Sequence, residues 1–152
     1  MSSVSELYQS VILDHNKTPR NYGRIEGPAA THAKGHNPLC GDQVTVWLEF
    51  EGDVVKDVRF EDEGKGCAIS RASASLMTMA IKGRHKDEVL QLFGAFHNLV
   101  TGVKSAEAEA LPARLQVFAS VAQFPIRVKC ASLAWHTMKK AMDDTASPES
   151  RV

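Results

Sequence analysis

Three cysteines, Cys40, Cys67 and Cys130, are the residues of this 152-residue chain best equipped for chemistry. Three thiols cannot all close into disulfides within one chain, and a small secreted scaffold carries a denser, even set. Thiol exchange or metal binding remains. Each cysteine falls at a boundary between expected elements. Cys40-Gly41-Asp42 precedes a strand, Cys67 follows Gly64-Lys65-Gly66 and opens a helix, and Cys130 lies near the start of the last helix, just after Arg127. A thiol at a helix N-terminus meets the positive end of the helix dipole, and Lys65, Arg71, Arg127 and Lys129 add positive charge, so thiolate is favoured over thiol. Asp42 can converge with Cys40 if Gly41 takes a tight conformation closed to bulkier residues. Three thiolates and one carboxylate make a complete tetrahedral set for zinc. Four anions around a dication leave a net −2, so basic neighbours are an electrostatic requirement. The competing reading is that the cysteines are small core hydrophobes. No CxxC pair is present, and spacing alone leaves both readings open.

The elements that must position these residues follow from periodicity. Ser3 and Glu6 form a capping box, Leu7, Val11 and Ile12 recur at helical spacing, and Pro19 blocks continuation. Residues 20–41 are rich in Gly, Pro, Asn and His and read mainly as loop, with room for one short strand. From Gln43 the period becomes two. Val44, Val46, Leu48 and Phe50 face one way, Glu51-Gly52-Asp53 turns, and Val58 and Phe60 continue the apolar face, giving an antiparallel hairpin with one buried side. Helices are predicted over 67–82, 86–99, 111–123 and 127–142, with 100–110 as a surface connection and Ser147–Ser150 as a frayed tail. Strands first and helices afterwards give an α+β fold, a small antiparallel sheet with helices packed on one face. One domain is expected over 1–145, with 146–152 as a flexible C-terminal tail.

Composition excludes several classes of function. The chain is 43% hydrophobic and 24% charged, which sets aside disordered and collagen-like proteins. Eighteen Lys and Arg cancel eighteen Asp and Glu, so net charge gives no argument for a nucleic-acid or membrane partner. The N-terminus lacks a basic, then apolar, leader, and no run approaches the ~20 apolar residues of a membrane span. The cytoplasm, where thiols stay reduced, is the expected compartment.

The motifs around the cysteines resemble the U-type iron–sulfur assembly proteins, the IscU/SufU/NifU N-terminal family. The matching segments are Leu7-Tyr8 through Asp14-His15, Pro19-Arg20-Asn21, Asn37-Pro38-Leu39-Cys40-Gly41-Asp42, Gly66-Cys67 through Ser75, and Arg127 through Trp135. Lys129 stands where IscU-type members usually carry histidine, and an extra segment separates Leu99 from Phe124; both are similar to the SufU-type branch. The resemblance implies an IscU/SufU-like α+β domain with zinc held by Cys40, Asp42, Cys67 and Cys130, Cys40 being the sulfur-accepting thiol. It implies a SufS-type cysteine desulfurase as partner, with a downstream Fe–S scaffold or apo-protein acceptors beyond it. The chain is then not a stand-alone enzyme. The same side chains would serve a [2Fe–2S] scaffold, with Cys40, Cys67 and Cys130 as cluster ligands, and an inert zinc-stabilised interaction module is a third class.

Other polar residues receive plainer readings. His36 is expected to be a loop residue and His136 to point away from Cys130. Asp14-His15 is read as helix-end hydrogen bonding, and Arg127 and Lys129 as counter-charges of the anionic site. The small residues from Ala68 to Ala74 suit close helix packing.

Overall fold

The computed structural model describes residues 4–39, 41–143 and 149–151. The alternating segment forms β2 (Asp42–Glu51) and β3 (Val54–Glu61), an antiparallel pair turned at Gly52, whose φ of 61° suits glycine. Val44, Val46, Leu48, Val58 and Phe60 are buried on its inner face, as the alternation predicts. A third strand, β1 (Ala30–Asn37), pairs antiparallel with β2 from Ala30 opposite Glu49 to Asn37 opposite Asp42. It is longer than the single short strand expected within 20–41. Its inward positions are Ala33, Gly35 and Asn37, too small or polar to signal a strand. The reason is the close approach of the last helix: a Cβ on Gly35 would collide with the Thr137 hydroxyl. Within the stretch read as a tail, Glu149–Arg151 form β4 and lie parallel to β1, giving the order β3-β2-β1-β4; residues 144–148 and 152 lie outside the described residues.

Helices cover one face of this sheet. Helix α6 (Pro125–Asp143) crosses β1 and β2, and α2 (Ala68–Ile81) lies between α6 and β3. Small residues set how closely α2 and α6 approach. Ala72, Ser73, Ala74 and Ser75 are buried, the Ser73 hydroxyl donates to the Ala131 carbonyl at 2.6 Å, and Trp135 Nε1 donates to Ser73 Oγ at 3.2 Å. Helix α1 (Val4–Lys17) is latched onto α2 by His15, whose Nδ1 lies 2.7 Å from Ser75 Oγ; the same oxygen accepts the Arg20 N–H at 2.8 Å. Burial, aided by Arg20, pushes the His15 imidazole below the ordinary histidine value.

Helix α3 (Lys86–Thr101) leads into the extra segment, which departs from the sequence expectation. Residues 100–110 are not merely a surface connection, and 111–123 are not one helix. Two short helices, α4 (Ala106–Glu109) and α5 (Ala113–Gln116), are followed by a 3-10 helix over Val117–Gln123. Side chains three apart eclipse in a 3-10 helix, so Phe118 and Val121 both turn into the core, joined there by Leu115 of α5 and by Ala108 and Leu111. Phe118 meets Phe96 edge-on at 5.6 Å, and Phe96 stacks on Trp135 at 4.4 Å.

Because Phe118 is fully buried, Phe118→Ala should cost about 3–5 kcal/mol in denaturant unfolding; a near-neutral result would contradict the placement of the extra segment in the core. His15 gives a pH test. Its folded value lies below the unfolded value of about 6.5, so the unfolded chain takes up the proton first on acidification. Stability should therefore fall as pH drops below about 6.5, and more steeply in the wild type than in His15→Gln. Parallel slopes in the two proteins would show that His15 titrates no differently when folded.

Candidate metal centre

Three of the four sequence-predicted ligands converge where β2, α2 and α6 meet. Asp42 opens β2, Cys67 is the N-cap of α2, and Cys130 lies in the second turn of α6. Their ligand atoms all lie within 4.8 Å of one another. A tetrahedral ion with bonds near 2.0–2.3 Å separates its ligands by about 3.3–3.8 Å, so small inward movements would close the set. Cys40 lies outside the described residues. On either side of it, Asn37 Oδ1 accepts the Leu39 N–H at 3.1 Å, the Asn37 carbonyl accepts the Gly41 N–H at 2.8 Å, and Gly41 takes a φ of 76°.

The donor set suits a soft or borderline metal, and the burial pattern asks for one. Asp42 is 3% exposed; its Oδ1 accepts the Cys67 N–H at 3.0 Å, whereas its Oδ2 is buried with no hydrogen-bond partner among the described residues. A buried carboxylate oxygen close to two thiols is costly unless a cation or a proton satisfies it. Two sulfurs and a carboxylate fit zinc or iron better than a hard cation such as magnesium. The thiols are poised unequally. A hydrogen bond from Cys130, helped by the Ser70 N–H at 3.4 Å, holds the Cys67 thiol below its usual range. Donating that hydrogen bond, together with burial and the Asp42 charge, drives Cys130 far above it. Of the two, Cys67 is therefore the readier to give up its proton, and a metal binding here must displace whatever protons the thiols hold.

Tyr8 and Asn37 belong to the surroundings of this centre, and sequence reasoning did not single them out. Tyr8 Oη and Asn37 Nδ2 are, with Asp42 Oδ2, buried side-chain polar atoms lacking a partner among the described residues. Asn37 faces Asp42 across the β1–β2 register. Burial pushes the Tyr8 phenol up, Arg127 opposes this, and Cys67 and Cys130 add to it, which puts the hydroxyl in the electrostatic field of the thiols. The available signal was a tyrosine on the helical stripe Tyr8–Val11–Ile12–His15, where a buried hydroxyl needs a purpose.

The remaining candidates stand apart. His36, expected in a loop, instead lies half-buried on strand β1 opposite Gln43, and His136 packs edge-on against Phe93 at 5.1 Å and His97 at 5.9 Å. Asp14 pairs with Arg20 at 2.9 Å while His15 turns inward to Ser75, so the two do not act as an acid–base pair. Arg127 and Lys129 are exposed on α6, and the Arg127 guanidinium lies 4.7 Å from the Phe124 ring centre. Arg71 is not a spare counter-charge: it is paired with Asp62 at 2.9 Å.

The unequal thiols predict unequal reactivity. In chelator-treated protein near neutral pH, iodoacetamide should label Cys67 before Cys130, and added zinc should slow both, as read by peptide mass mapping. Equal rates, or rates indifferent to zinc, would contradict this account of the site.

Known proteins share both the sequence and the fold. The pattern described as the NifU-like N terminal domain matches residues 7–131. The chain is 36% identical over 149 residues to the iron–sulfur cluster assembly scaffold protein IscU of Streptococcus pyogenes serotype M1, covering 98% of this chain and 91% of that one. It is also 36% identical over 141 residues to the zinc-dependent sulfurtransferase SufU of Bacillus subtilis, covering 93% and 92%. A crystal structure of a putative iron–sulfur cluster assembly scaffold protein for the SUF system from Fervidobacterium islandicum superposes with a TM-score of 0.81 at 36% identity, covering 90% of this chain and 97% of that one. Among the described residues, no helix is long and apolar enough to cross a membrane.

Proposed function

This chain belongs to the NifU-like N-terminal domain family of iron–sulfur cluster assembly proteins, and from that premise we propose that it is a zinc-bound sulfur acceptor serving a cysteine desulfurase in the cytoplasm. The observation that carries the reading is the convergence of Asp42, Cys67 and Cys130, with one buried Asp42 oxygen that has no hydrogen-bond partner among the described residues. Cys40 is the fourth ligand in this proposal. Bound zinc would supply a redox-inert charge that keeps its ligand thiols deprotonated at neutral pH. Asp42, Cys67 and Cys130, carried on regular elements, hold the site together, and Cys40 is the ligand that can be released. The acceptor step is thiol exchange. The Cys40 thiolate attacks the outer sulfur of the partner's persulfide, the S–S bond to the partner's cysteine breaks, and that cysteine leaves as thiolate. Sulfur thus passes to Cys40 as a new persulfide, with no net oxidation and no other reactant. Arg127 and Lys129, exposed on α6 one turn or less from Cys130, offer positive charge to the anionic site and to the incoming persulfide. The domain itself is proposed to span 1–145.

A second reading has its own support. The streptococcal relative is named a scaffold and is as similar as the sulfurtransferase. The same thiolates would serve a [2Fe–2S] cluster built here as cargo and passed to apo-proteins. Lys129 in place of histidine supports the zinc reading.

Cys40→Ser separates these roles from a purely structural metal. The variant should keep its circular dichroism spectrum and part of its zinc, yet lose stimulation of the desulfurase, measured as sulfide or alanine released per minute with a SufS-type enzyme. Unchanged stimulation would sink Cys40 as the acceptor.

A further inference from the structure

Cys67 reaches the centre from a turn built around one buried carboxylate. Asp62 follows β3 and is 3% exposed. Arg71, one turn into α2, donates to it from Nε at 2.9 Å and from Nη2 at 3.0 Å; the Tyr22 hydroxyl donates at 2.8 Å and the Gly64 N–H at 3.0 Å. The Asp62 carbonyl accepts the Lys65 N–H at 2.8 Å. Burial alone would raise the Asp62 carboxyl, but these donors outweigh it and hold it below the ordinary carboxylate value. The chain between is forced into shape. Glu63 and Gly64 take left-handed φ values of 52° and 74°, and a Cβ on Gly66 would come within 2.6 Å of Asp62 Oδ2. The Arg71 guanidinium lies 5.6 Å from the Tyr22 ring centre, which ties the segment after α1 to the same cluster.

Asp62 and Arg71 therefore close a loop of chain in which Cys67 sits, and the Cys67 N–H already points at Asp42 Oδ1. We propose that the Asp62–Arg71–Tyr22 cluster is the positioning device of the metal centre, fixing where Cys67 Sγ stands relative to Asp42 and Cys130. The inference rests on the metal reading of that centre. It assigns to Arg71 a role different from neutralising the thiolates: its charge is matched by Asp62, and its planar fork, which lysine lacks, supplies the geometry.

Cobalt(II) titration of the full chain, with thiolate-to-cobalt charge-transfer absorbance and a competing chelator as readouts, tests this. Outer groups that orient metal ligands typically alter affinity about 10–100-fold. Arg71→Gln should weaken cobalt and zinc binding by about 10-fold or more and lower the charge-transfer absorbance at saturation, with the helical circular dichroism spectrum retained. Charge alone predicts the reverse, since removing a cation near a cation site should tighten binding. Arg71→Lys, which keeps the charge but not the fork, should fall between wild type and Arg71→Gln. If Arg71→Gln does not fold, Arg71→Lys and Tyr22→Phe decide. Affinity and absorbance within twofold of wild type in the folded variants would overturn the proposal. A wild-type chain that takes up cobalt without thiolate charge transfer would overturn the metal reading itself, and the inference with it.

Discussion

The structure turns on a gathering of three acidic side chains, Asp42 and Cys130 buried and Cys67 half-buried. Asp42 and two sulfurs come together with one carboxylate oxygen that has no hydrogen-bond partner among the described residues, and in a medium of low polarity such a gathering is unstable unless protons or a cation neutralise it. Everything around the centre reads as support for that arrangement. The β1–β2 register sets Asp42 opposite Asn37, the N-cap position aims Cys67 and its backbone N–H at the carboxylate, and the second turn of α6 brings Cys130 from the other side.

Close helix packing makes this convergence possible. Cys67 and Cys130 sit on two helices held together by the Ser73–Ala131 hydrogen bond and by alanines too small to keep them apart. Gly35 lets α6 lie directly on β1, since a side chain there would collide with Thr137 and crowd Leu133 on α6. The extra segment packs against the helix that carries Tyr8: Phe118 meets the Tyr8 ring edge-on at 6.1 Å. The segment thus belongs to the core behind the centre as well as to the surface.

Much of this was legible in the sequence because its signals were local. Alternation gave β2 and β3, and the small residues of α2 announced tight packing. The glycines at 41 and 66 flanked ligand positions. Other features were hidden because they depend on partners distant in the chain. β1 has the residues of a loop, and only the helix lying across it explains Ala33 and Gly35 facing inward. Leu115 at the end of α5 and Phe118 and Val121 in the 3-10 turn follow one another three apart, a spacing that resembles a broken helix until the core is seen. Arg71 looked like a counter-charge for thiolates because nothing in the sequence tied it to Asp62. The three cysteines suggested a metal or thiol site, but spacing could not choose between that and simple burial; the motif resemblance implied the ligand set, and the buried Asp42 Oδ2 is a physical reason to expect a cation or a proton beside that one member of it.

The central claim is that these residues hold one metal ion through thiolates and a carboxylate, and that the ion is zinc. Metal and acid-labile sulfide analysis of the full chain, purified without oxygen, tests it most directly. The account predicts one zinc per chain and no sulfide. Iron accompanied by sulfide would transfer the site to cluster assembly, and a chain with neither metal would contradict the account at its root.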